Sequence, residues 1–288
     1  MPTPKEVKKL PRSINMNTAV QIWVGRPKIG KTSTAAALGT VAERYGVPLS
    51  PFFLLFEAGA AAVDILCTCE DCPHCGGQGC DACANVGQIK HVLGNLEETE
   101  EWLDWVCQSN HNPVVFDTID GFYQLVSDQV CQELGIKSPS EAEFGIAWRM
   151  IYDRTRALLG KVLSAGKGLI LISHVYMQER RTKNGTITQV ATFNISGMSR
   201  SYIAGLADQI LHFDIQPSET NPEEPERILI ARPQVGIDAG DRWGIFPETL
   251  VLGRSPEEAA EALLKVYGYI TEQPPSNGGK KNKKGARK

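Results

Sequence analysis

Residues 25–32 read Gly25-Arg26-Pro27-Lys28-Ile29-Gly30-Lys31-Thr32, a complete G-x-x-x-x-G-K-T phosphate-binding loop. Glycine at the two fixed positions allows backbone angles and close approaches that a Cβ atom would block. The loop amides then point at phosphate oxygens, at the positive end of the following helix. We expect Lys31 to reach the β- and γ-phosphates and Thr32 to hold Mg²⁺, and we include the adjacent Ser33 among the nucleotide-binding residues.

The segments on either side of this loop have the expected strand–loop–helix order. Residues 19–24 are apolar and β-prone, and residues 33–38 continue as a good helix. Further apolar strands are predicted near 51–56, 114–116, 168–174, 209–214 and 227–231, and helices near 31–45, 97–107, 121–134, 143–165, 197–207 and 256–267. Residues 176–193 form a predicted hairpin that turns at Asn184-Gly185. Strands that alternate with helices predict an α/β fold of the P-loop NTPase kind, with a mostly parallel sheet covered on both faces.

Composition limits the class of protein. The chain has 288 residues and a net charge of −3, and no apolar run approaches the ~20 residues that a membrane span needs. Its N-terminus lacks the apolar stretch of a signal peptide, so we expect a cytoplasmic protein without a membrane partner. We divide the chain into an irregular leader at 1–16, a core at 17–268 with a cysteine-rich insert at 66–91, and a basic tail at 269–288. The tail is either a solubilising segment or a nucleic-acid contact.

Polar side chains follow several of the predicted strands. Asp117 ends one of them and fits a Walker B acid, which binds Mg²⁺ through water. Many P-loop ATPases place a catalytic Glu directly after this Asp, but here that position is Thr118. The catalytic base must therefore come from elsewhere, with Glu57 as first candidate and Asp120 as second. The alternative is that each is an ordinary surface carboxylate without a catalytic role. His174 ends the next strand and is either a γ-phosphate sensor or a structural histidine.

The order of these motifs resembles the RecA-like ATPase core, and more narrowly the phage-encoded, Sak-type single-strand annealing group with that core. The resemblance covers roughly residues 17–252, and its matched pieces are Gly25–Thr32, Glu57, Asp117-Thr118, Ser173-His174, Asp208 and Gly240-Asp241-Arg242-Trp243-Gly244. It implies a catalytic Glu57 and a sensor strand between the two Walker strands, which brings His174 near the γ-phosphate.

The same resemblance implies a homo-oligomer in which a basic residue from a neighbouring subunit completes the site. Arg242 is the candidate, with Lys28 or Arg232 as alternatives, although Arg242 also fits a turn-stabilising surface arginine. An arginine supplied in trans can be worth on the order of 10³–10⁵ in rate.

The resemblance also implies slow ATP hydrolysis that single-stranded DNA stimulates, in phage recombination or replication inside the host cytoplasm. Its DNA-binding loop corresponds to the predicted hairpin, where Arg180, Arg181 and Lys183 lie near the tip. These three could equally form a solvated face, and Tyr176 and Phe193 could stack on bases or pack in the core. Further partners would be a single-strand binding protein or other replication or recombination proteins. The competing functions are a helicase-loader or motor-like ATPase, and a nucleotide-gated DNA- or protein-binding module with little hydrolysis.

Six cysteines crowd into the 17 residues of the insert between Cys67 and Cys83. Cys-x₂-Cys pairs with intervening glycines have zinc-knuckle spacing and resemble the zinc modules of DnaJ-type chaperones. The first ligand set is Cys72, Cys75, Cys80 and Cys83; Cys67 and Cys69 could replace two of these or hold a second ion, and His74 and His91 are weaker candidates. An iron–sulfur cluster and free or redox-active thiols are the alternatives. Cys107 and Cys131 fall in helical segments and are expected in the core.

Metal analysis tests the zinc hypothesis directly. We expect the purified chain to carry about one or two zinc ions, because thiolate pairs at this spacing favour tetrahedral Zn²⁺. Replacing Cys72 and Cys75 by Ser should lower the zinc content, whereas replacing Cys131 by Ser should leave it unchanged. An iron chromophore in the purified protein would refute zinc.

Overall fold

The computed structural model describes residues 14–57, 88–91, 95–181, 184–218 and 223–271, with the backbone alone at 88–91. Its strands are β1 Val20–Gly25, β2 Phe52–Leu55, β3 Gln88–His91, β4 Val114–Asp117, β5 Leu169–Arg181, β6 Ile187–Phe193, β7 Gln209–Pro217, β8 Pro225–Ile230, β9 Gly240–Asp241 and β10 Thr249–Gly253. Its helices are α1 Lys31–Arg44, α2 Leu96–Gln108, α3 Ile119–Leu134, α4 Ile146–Ser164, α5 Gly197–Leu206 and α6 Pro256–Val266. Two short 3₁₀ turns, Pro139–Glu141 and Glu143–Gly145, join α3 to α4.

These strands form one mixed sheet in the order β10-β8-β7-β1-β5-β4-β2-β3, with β6 paired to β5 and β9 paired to β7. The strands from β7 to β3 along this order are parallel to one another, and β8 and β10 add an antiparallel edge. β5 lies between β1, which leads into the phosphate-binding loop, and β4, which ends at Asp117. The predicted α/β class is therefore confirmed, and the strand that carries His174 lies between the other two as expected.

Helices cover both faces of the sheet. Helices α1 and α6 share one apolar cluster, and α2, α3, α4 and α5 share the other. Side chains of β1 alternate between them: Trp23 packs against Phe213 with its ring centre 5.2 Å away on the first face, whereas Ile22 and Val24 belong to the second. A strand buried on both faces must be apolar at successive positions, which is why the segment before the loop shows no polar alternation.

The start of β5 is fixed by a close backbone approach. A Cβ atom added at Gly168, the residue before this strand, would lie 2.4 Å from the carbonyl oxygen of Met16. The Gly168 amide also donates to the Asn112 side chain, and its carbonyl accepts from the Val114 amide. The amino end of β5 is thus fixed on both sides by other segments of the same chain.

The folded core extends beyond the predicted limits of 17–268. Met16 is fully buried and its amide donates to the hydroxyl of Tyr269, and Ile270 is buried as well. The predicted hairpin is confirmed. Its first strand is the second half of β5, which runs unbroken from Leu169 to Arg181 and was predicted as two separate segments. Strands β3 and β10 were not predicted. Within the described ranges, no helix combines the length and apolar character needed to cross a bilayer.

Candidate functional site

A cavity of about 450 Å³ opens at the carboxyl edge of the parallel strands. It is lined by residues 27–33 of the phosphate-binding loop together with Glu57, Asp117, Thr118, Ile172, His174 and Arg227. The structure therefore brings together the loop, both carboxylates proposed from the strand ends, and the candidate sensor. A second cavity of about 470 Å³, lined by Glu43, residues 46–50 and Asn110, lies near the amino ends of β2 and β4 and contains none of the predicted site residues.

The loop has the backbone of an anion-binding site. Lys28 has φ of 64° and Gly30 has φ of 103°, so the chain turns through left-handed conformations before α1 begins at Lys31. Gly30 is the N-cap of this helix and supplies no side-chain acceptor. The first amides of α1 are therefore left for an anion at the positive end of the helix.

Lys31 is almost fully buried at the floor of the cavity. Its ammonium donates hydrogen bonds to two carbonyl oxygens of its own loop, that of Gly25 at 2.7 Å and that of Arg26 at 3.0 Å. Burial lowers the pKa of Lys31 to about 8, and Asp117, Asp120 and Glu57 oppose that decrease. The lysine thus lies in an environment that favours a nearby anion.

Asp117 and Thr32 fit a magnesium site. The Asp117 carboxyl is buried at 3% exposure, and one of its oxygens, Oδ2, has no hydrogen-bond partner among the described residues. Burial raises the pKa of Asp117, and the Thr32 hydroxyl beside it is the largest opposing influence. A buried carboxylate oxygen without a partner, next to a hydroxyl, is a donor set that Mg²⁺ accepts when water and phosphate supply the remaining oxygens.

Glu57 faces this pair from the end of β2. Its oxygen Oε1 accepts a hydrogen bond of 2.6 Å from the hydroxyl of Thr118, which also caps α3 by accepting from the Gly121 amide at 3.0 Å. Thr118 occupies the position where many P-loop ATPases carry their glutamate. Here that position does not supply the carboxylate; its hydroxyl instead orients the carboxylate of Glu57. The Glu57 side chain is 39% exposed and is open to solvent at the cavity mouth.

His174 lies between two carboxylates. Its Nδ1 atom is 3.6 Å from Oε1 of Glu57 and 3.4 Å from Oδ2 of Asp120. The hydrogen bond to Asp120 is the largest cause of a raised pKa for His174; Glu57 adds to the rise and burial opposes it. A protonated imidazole at this position would place a positive charge in the wall of the cavity, beside two carboxylates.

Asp120 has a different role from the alternative base that the sequence permits. Its Oδ1 accepts from the Ser173 hydroxyl at 2.5 Å, and its Oδ2 accepts from the His174 amide at 2.7 Å. Both oxygens are therefore engaged with the middle of β5, and the side chain is only 10% exposed. The geometry favours Asp120 as the anchor of His174 and leaves Glu57 as the accessible carboxylate.

Arg242 lies away from the cavity within its own chain. It forms an ion pair of 3.1 Å with Asp208 and donates to the Gly205 carbonyl, and Asp208 in turn accepts from the amide of Val20, the first residue of β1. This is the amino edge of the sheet, opposite the phosphate-binding loop. A contribution from Arg242 to a neighbouring subunit's site stays a prediction.

The β5–β6 hairpin begins directly after His174. Arg180 pairs with Asp238 at 2.7 Å, whereas Arg181 is exposed and Lys183 lies outside the described residues. Tyr176 is half-exposed, and Phe193 is buried beneath the guanidinium of Arg200. Of the two aromatic residues considered for base stacking, only Tyr176 is accessible.

The cysteine cluster falls outside the described residues, and the zinc hypothesis stays a prediction. In the ranges that the structure does describe, no three His, Cys, Asp or Glu side chains are grouped closely enough to hold a metal ion. Cys107 and Cys131 are free thiols, with Cys131 buried as expected and Cys107 partly so.

Sequence reasoning did not assign three residues of the cavity wall, Thr118, Ile172 and Arg227. Thr118 was noted for not being a glutamate and as part of the matched Asp117-Thr118 pair, whereas Ile172 and Arg227 lie in ordinary strand segments and carried no signal of a site. The pairing of Arg227 with Ile215 of β7 brings it above the carboxyl edge. Only the sheet register could have revealed that placement.

Comparison with known proteins finds one matching family and several similar solved structures. A family model described as an AAA domain matches residues 17–243. No curated protein sequence matches the chain. Among solved structures, the chain resembles the KaiC-like protein PH0186 from Pyrococcus horikoshii OT3, with 17% identity, a TM-score of 0.46 and coverage of 84% of this chain and 88% of that one. It also resembles the flagellar accessory protein FlaH from Methanocaldococcus jannaschii, with 10% identity, a TM-score of 0.43 and the same two coverages.

The lowered pKa of Lys31 predicts how stability depends on pH. The pKa in the folded protein, about 8, lies below the ordinary lysine value of 10.5, so between these two pH values unfolding takes up a proton. The nucleotide-free wild type should therefore gain stability relative to Lys31→Met as pH rises through this window, by up to about 3 kcal/mol. Urea unfolding at pH 7, 8, 9 and 10 measures the difference. Lys28→Met, which replaces an exposed lysine of the loop, is the control and should show no such trend. If the difference in unfolding free energy between wild type and Lys31→Met were the same at all four pH values, the assignment would be contradicted.

Proposed function

This chain belongs to the AAA domain family, and we propose that it binds ATP with Mg²⁺ and hydrolyses it in the cavity at the carboxyl edge of the sheet. The observation that supports this proposal best is the convergence of four separate chain segments on one cavity. Lys31, Asp117, Glu57 and His174 come from α1, β4, the end of β2 and β5, respectively. A buried lysine, a carboxylate with an unpaired oxygen and an accessible carboxylate are the groups that water attack on a γ-phosphate requires.

Each of these groups has a separate task. The loop amides and Lys31 hold the phosphates, and Thr32 and Asp117 hold the metal ion, which supplies charge neutralisation when bound. Glu57 accepts a proton from the attacking water, and the 2.6 Å hydrogen bond from Thr118 fixes which of its oxygens remains free. His174, fixed through its amide by Asp120, lies beside the same region, and its hydrogen bond to Asp120 raises the pKa of its imidazole.

We further propose that ATP turnover is coupled to single-stranded DNA bound at the β5–β6 hairpin. Support comes from the continuity of β5, which joins the sensor position to the hairpin without a break, and from exposed Arg181 and half-exposed Tyr176 on that hairpin. An exposed basic side chain suits the phosphates of a single strand, and a half-exposed aromatic ring suits its bases. With the resemblance to the Sak-type group, this favours a role in phage recombination or replication, by binding or annealing single strands.

The catalytic base is tested by Glu57→Gln. We expect this protein to bind ATP with affinity close to that of wild type and to hydrolyse it about 10²–10⁴-fold more slowly, because the amide cannot accept the proton of water. Lys31→Ala should instead lose ATP binding. Titration calorimetry with ATP and a phosphate-release assay separate the two effects, and Glu101→Gln on the exposed face of α2 is the matched control.

Two results would contradict this assignment. Undiminished hydrolysis by Lys31→Ala would exclude the cavity as the site. The base is Asp120 if two results are found together. Asp120→Asn would have to keep the thermal stability of wild type, bind ATP and hydrolyse it slowly, while Glu57→Gln would have to hydrolyse ATP as wild type does.

The DNA interface is tested by single substitutions in the hairpin. Arg181→Ala should weaken binding to a single-stranded oligonucleotide and reduce the magnitude of the salt slope by about 1, because one phosphate contact releases about one counterion. Arg180→Ala should have a smaller effect, since its guanidinium is already paired with Asp238. Fluorescence anisotropy at several salt concentrations measures both, with Arg149→Ala on α4 as control. An unchanged affinity and salt slope for Arg181→Ala would rule this surface out.

A further inference from the structure

Arg227 enters the nucleotide cavity from β8, a strand that contributes no residue of the P-loop motifs. Its guanidinium lies against Gly30: a Cβ atom at Gly30 would come within 2.9 Å of Arg227 Nε and 3.3 Å of Cζ. Gly30 is therefore needed both for its φ of 103° and because the arginine covers it. The side chain is half-buried, so its charge is only partly exposed to bulk water.

The guanidinium is held in this position by a rigid turn. Its Nη1 donates at 2.7 Å to the carbonyl oxygen of Arg254, in the turn between β10 and α6. The Glu258 carboxylate accepts from the Arg254 amide at 2.6 Å, and Ser255 and Glu258 form a capping box at the start of α6. A side chain anchored to a capped helix start loses little further freedom when it meets a ligand.

Arg227 differs from several other arginines of the chain in having no acidic partner among the described residues. Within the described ranges, no carboxylate oxygen lies within 4 Å of its guanidinium, whereas Arg154, Arg180, Arg200, Arg242 and Arg254 each form an ion pair. Hydrogen bonds from the backbone amides of Arg254 and Ser255 are the main cause of the lowered pKa of Glu258, and the charge of Arg227 adds least; that carboxylate is therefore occupied by backbone amides. One hydrogen bond to a carbonyl leaves the other donors of a five-donor group for a ligand.

We propose that Arg227 is a second phosphate-binding cation of this site, supplied by the same chain, which donates to the phosphate oxygens of a bound nucleotide. The inference rests on the proposed function, since it takes the cavity to be the nucleotide site. Its position over Gly30 places the guanidinium beside the loop amides that face the phosphates. A planar cation without a counter-charge suits a phosphate oxygen better than the uncharged face of a base.

This assignment changes the charge balance of the cavity. Its lining contains Lys28, Lys31 and Arg227 as basic groups and Glu57 and Asp117 as acids, with His174 titratable. Lys28 lies exposed in the loop, and the ammonium of Lys31 donates to two loop carbonyls. Arg227 is half-buried, faces the loop and donates to one carbonyl only, so its other donors can meet a ligand without first leaving a partner. Phosphate binding therefore combines a lysine from below the loop with an arginine from beside it.

Substitution of Arg227 by Gln and by Lys tests the proposal. We expect Arg227→Gln to weaken binding of Mg²⁺-ATP and of inorganic tripolyphosphate by the same factor, about 10–100-fold, because both lose one charge-assisted hydrogen bond. Arg227→Lys should fall between this variant and the wild type, since it keeps the charge but loses the fork. Titration calorimetry measures the affinities. Arg154→Gln removes a half-buried arginine of α4, far from the cavity, and serves as control, and melting temperatures show that each variant is folded.

The outcomes separate this proposal from the function it rests on. If Lys31→Ala abolishes binding of both ligands but Arg227→Gln and Arg227→Lys bind them as wild type does, the cavity is the nucleotide site and Arg227 is not part of it. If Arg227→Gln loses affinity for ATP and keeps it for tripolyphosphate, the arginine contacts the base or ribose and the phosphate assignment is overturned. If Lys31→Ala binds both ligands normally, the proposed function itself fails.

Discussion

The site depends on the register of backbone hydrogen bonds among β1, β5, β4 and β2. Leu55 pairs with Asp117, Asp117 pairs with Ile172, and Gly25 pairs with His174. Because a strand advances by the same distance at each residue, Glu57 and His174, two residues beyond Leu55 and Ile172, reach the same level as the start of the phosphate-binding loop. A shift of one residue in any of these ladders would turn the side chain at that strand end to the other face of the sheet.

Charged residues have different roles at the amino ends and at the carboxyl ends of the parallel strands, which form the amino edge and the carboxyl edge of the sheet. At the amino edge, Asp241 accepts from the amides of Trp243 and Phe246 and from the Gln209 side chain, while Asp208 joins Val20 to Arg242. These carboxylates are satisfied within the chain and stabilise the loops between strands. At the carboxyl edge, Asp117 keeps an oxygen without a partner and Glu57 is open to solvent. The acidic groups that remain available for chemistry are therefore on the edge where the loop lies.

Much of this arrangement could be predicted from the sequence, because it depends on local patterns. The apolar run before Gly25, the run before Asp117 and the run before His174 each define a strand and its end, and parallel strands place their carboxyl ends together. The roles of Thr118, Asp120 and Arg227 could not be predicted in this way. Each depends on contacts between segments more than 50 residues apart in sequence or on the antiparallel pairing of β8 with β7, neither of which leaves a local pattern. The length of β5 was missed for a similar reason, since its second half is stabilised by β6 and not by the central sheet.

The hydrogen bonds of Lys31 to its own loop mean that ligand binding is an exchange of partners. The carbonyls of Gly25 and Arg26 already satisfy the ammonium, so a phosphate must compete with two oxygens that are present at fixed positions and at no entropic cost. The affinity for a nucleotide thus reports the preference of the ammonium for phosphate over amide oxygen, and not the full strength of the ion pair. It follows that a small neutral ligand gains little from this lysine, because such a ligand offers the ammonium no more than the two carbonyl oxygens already do.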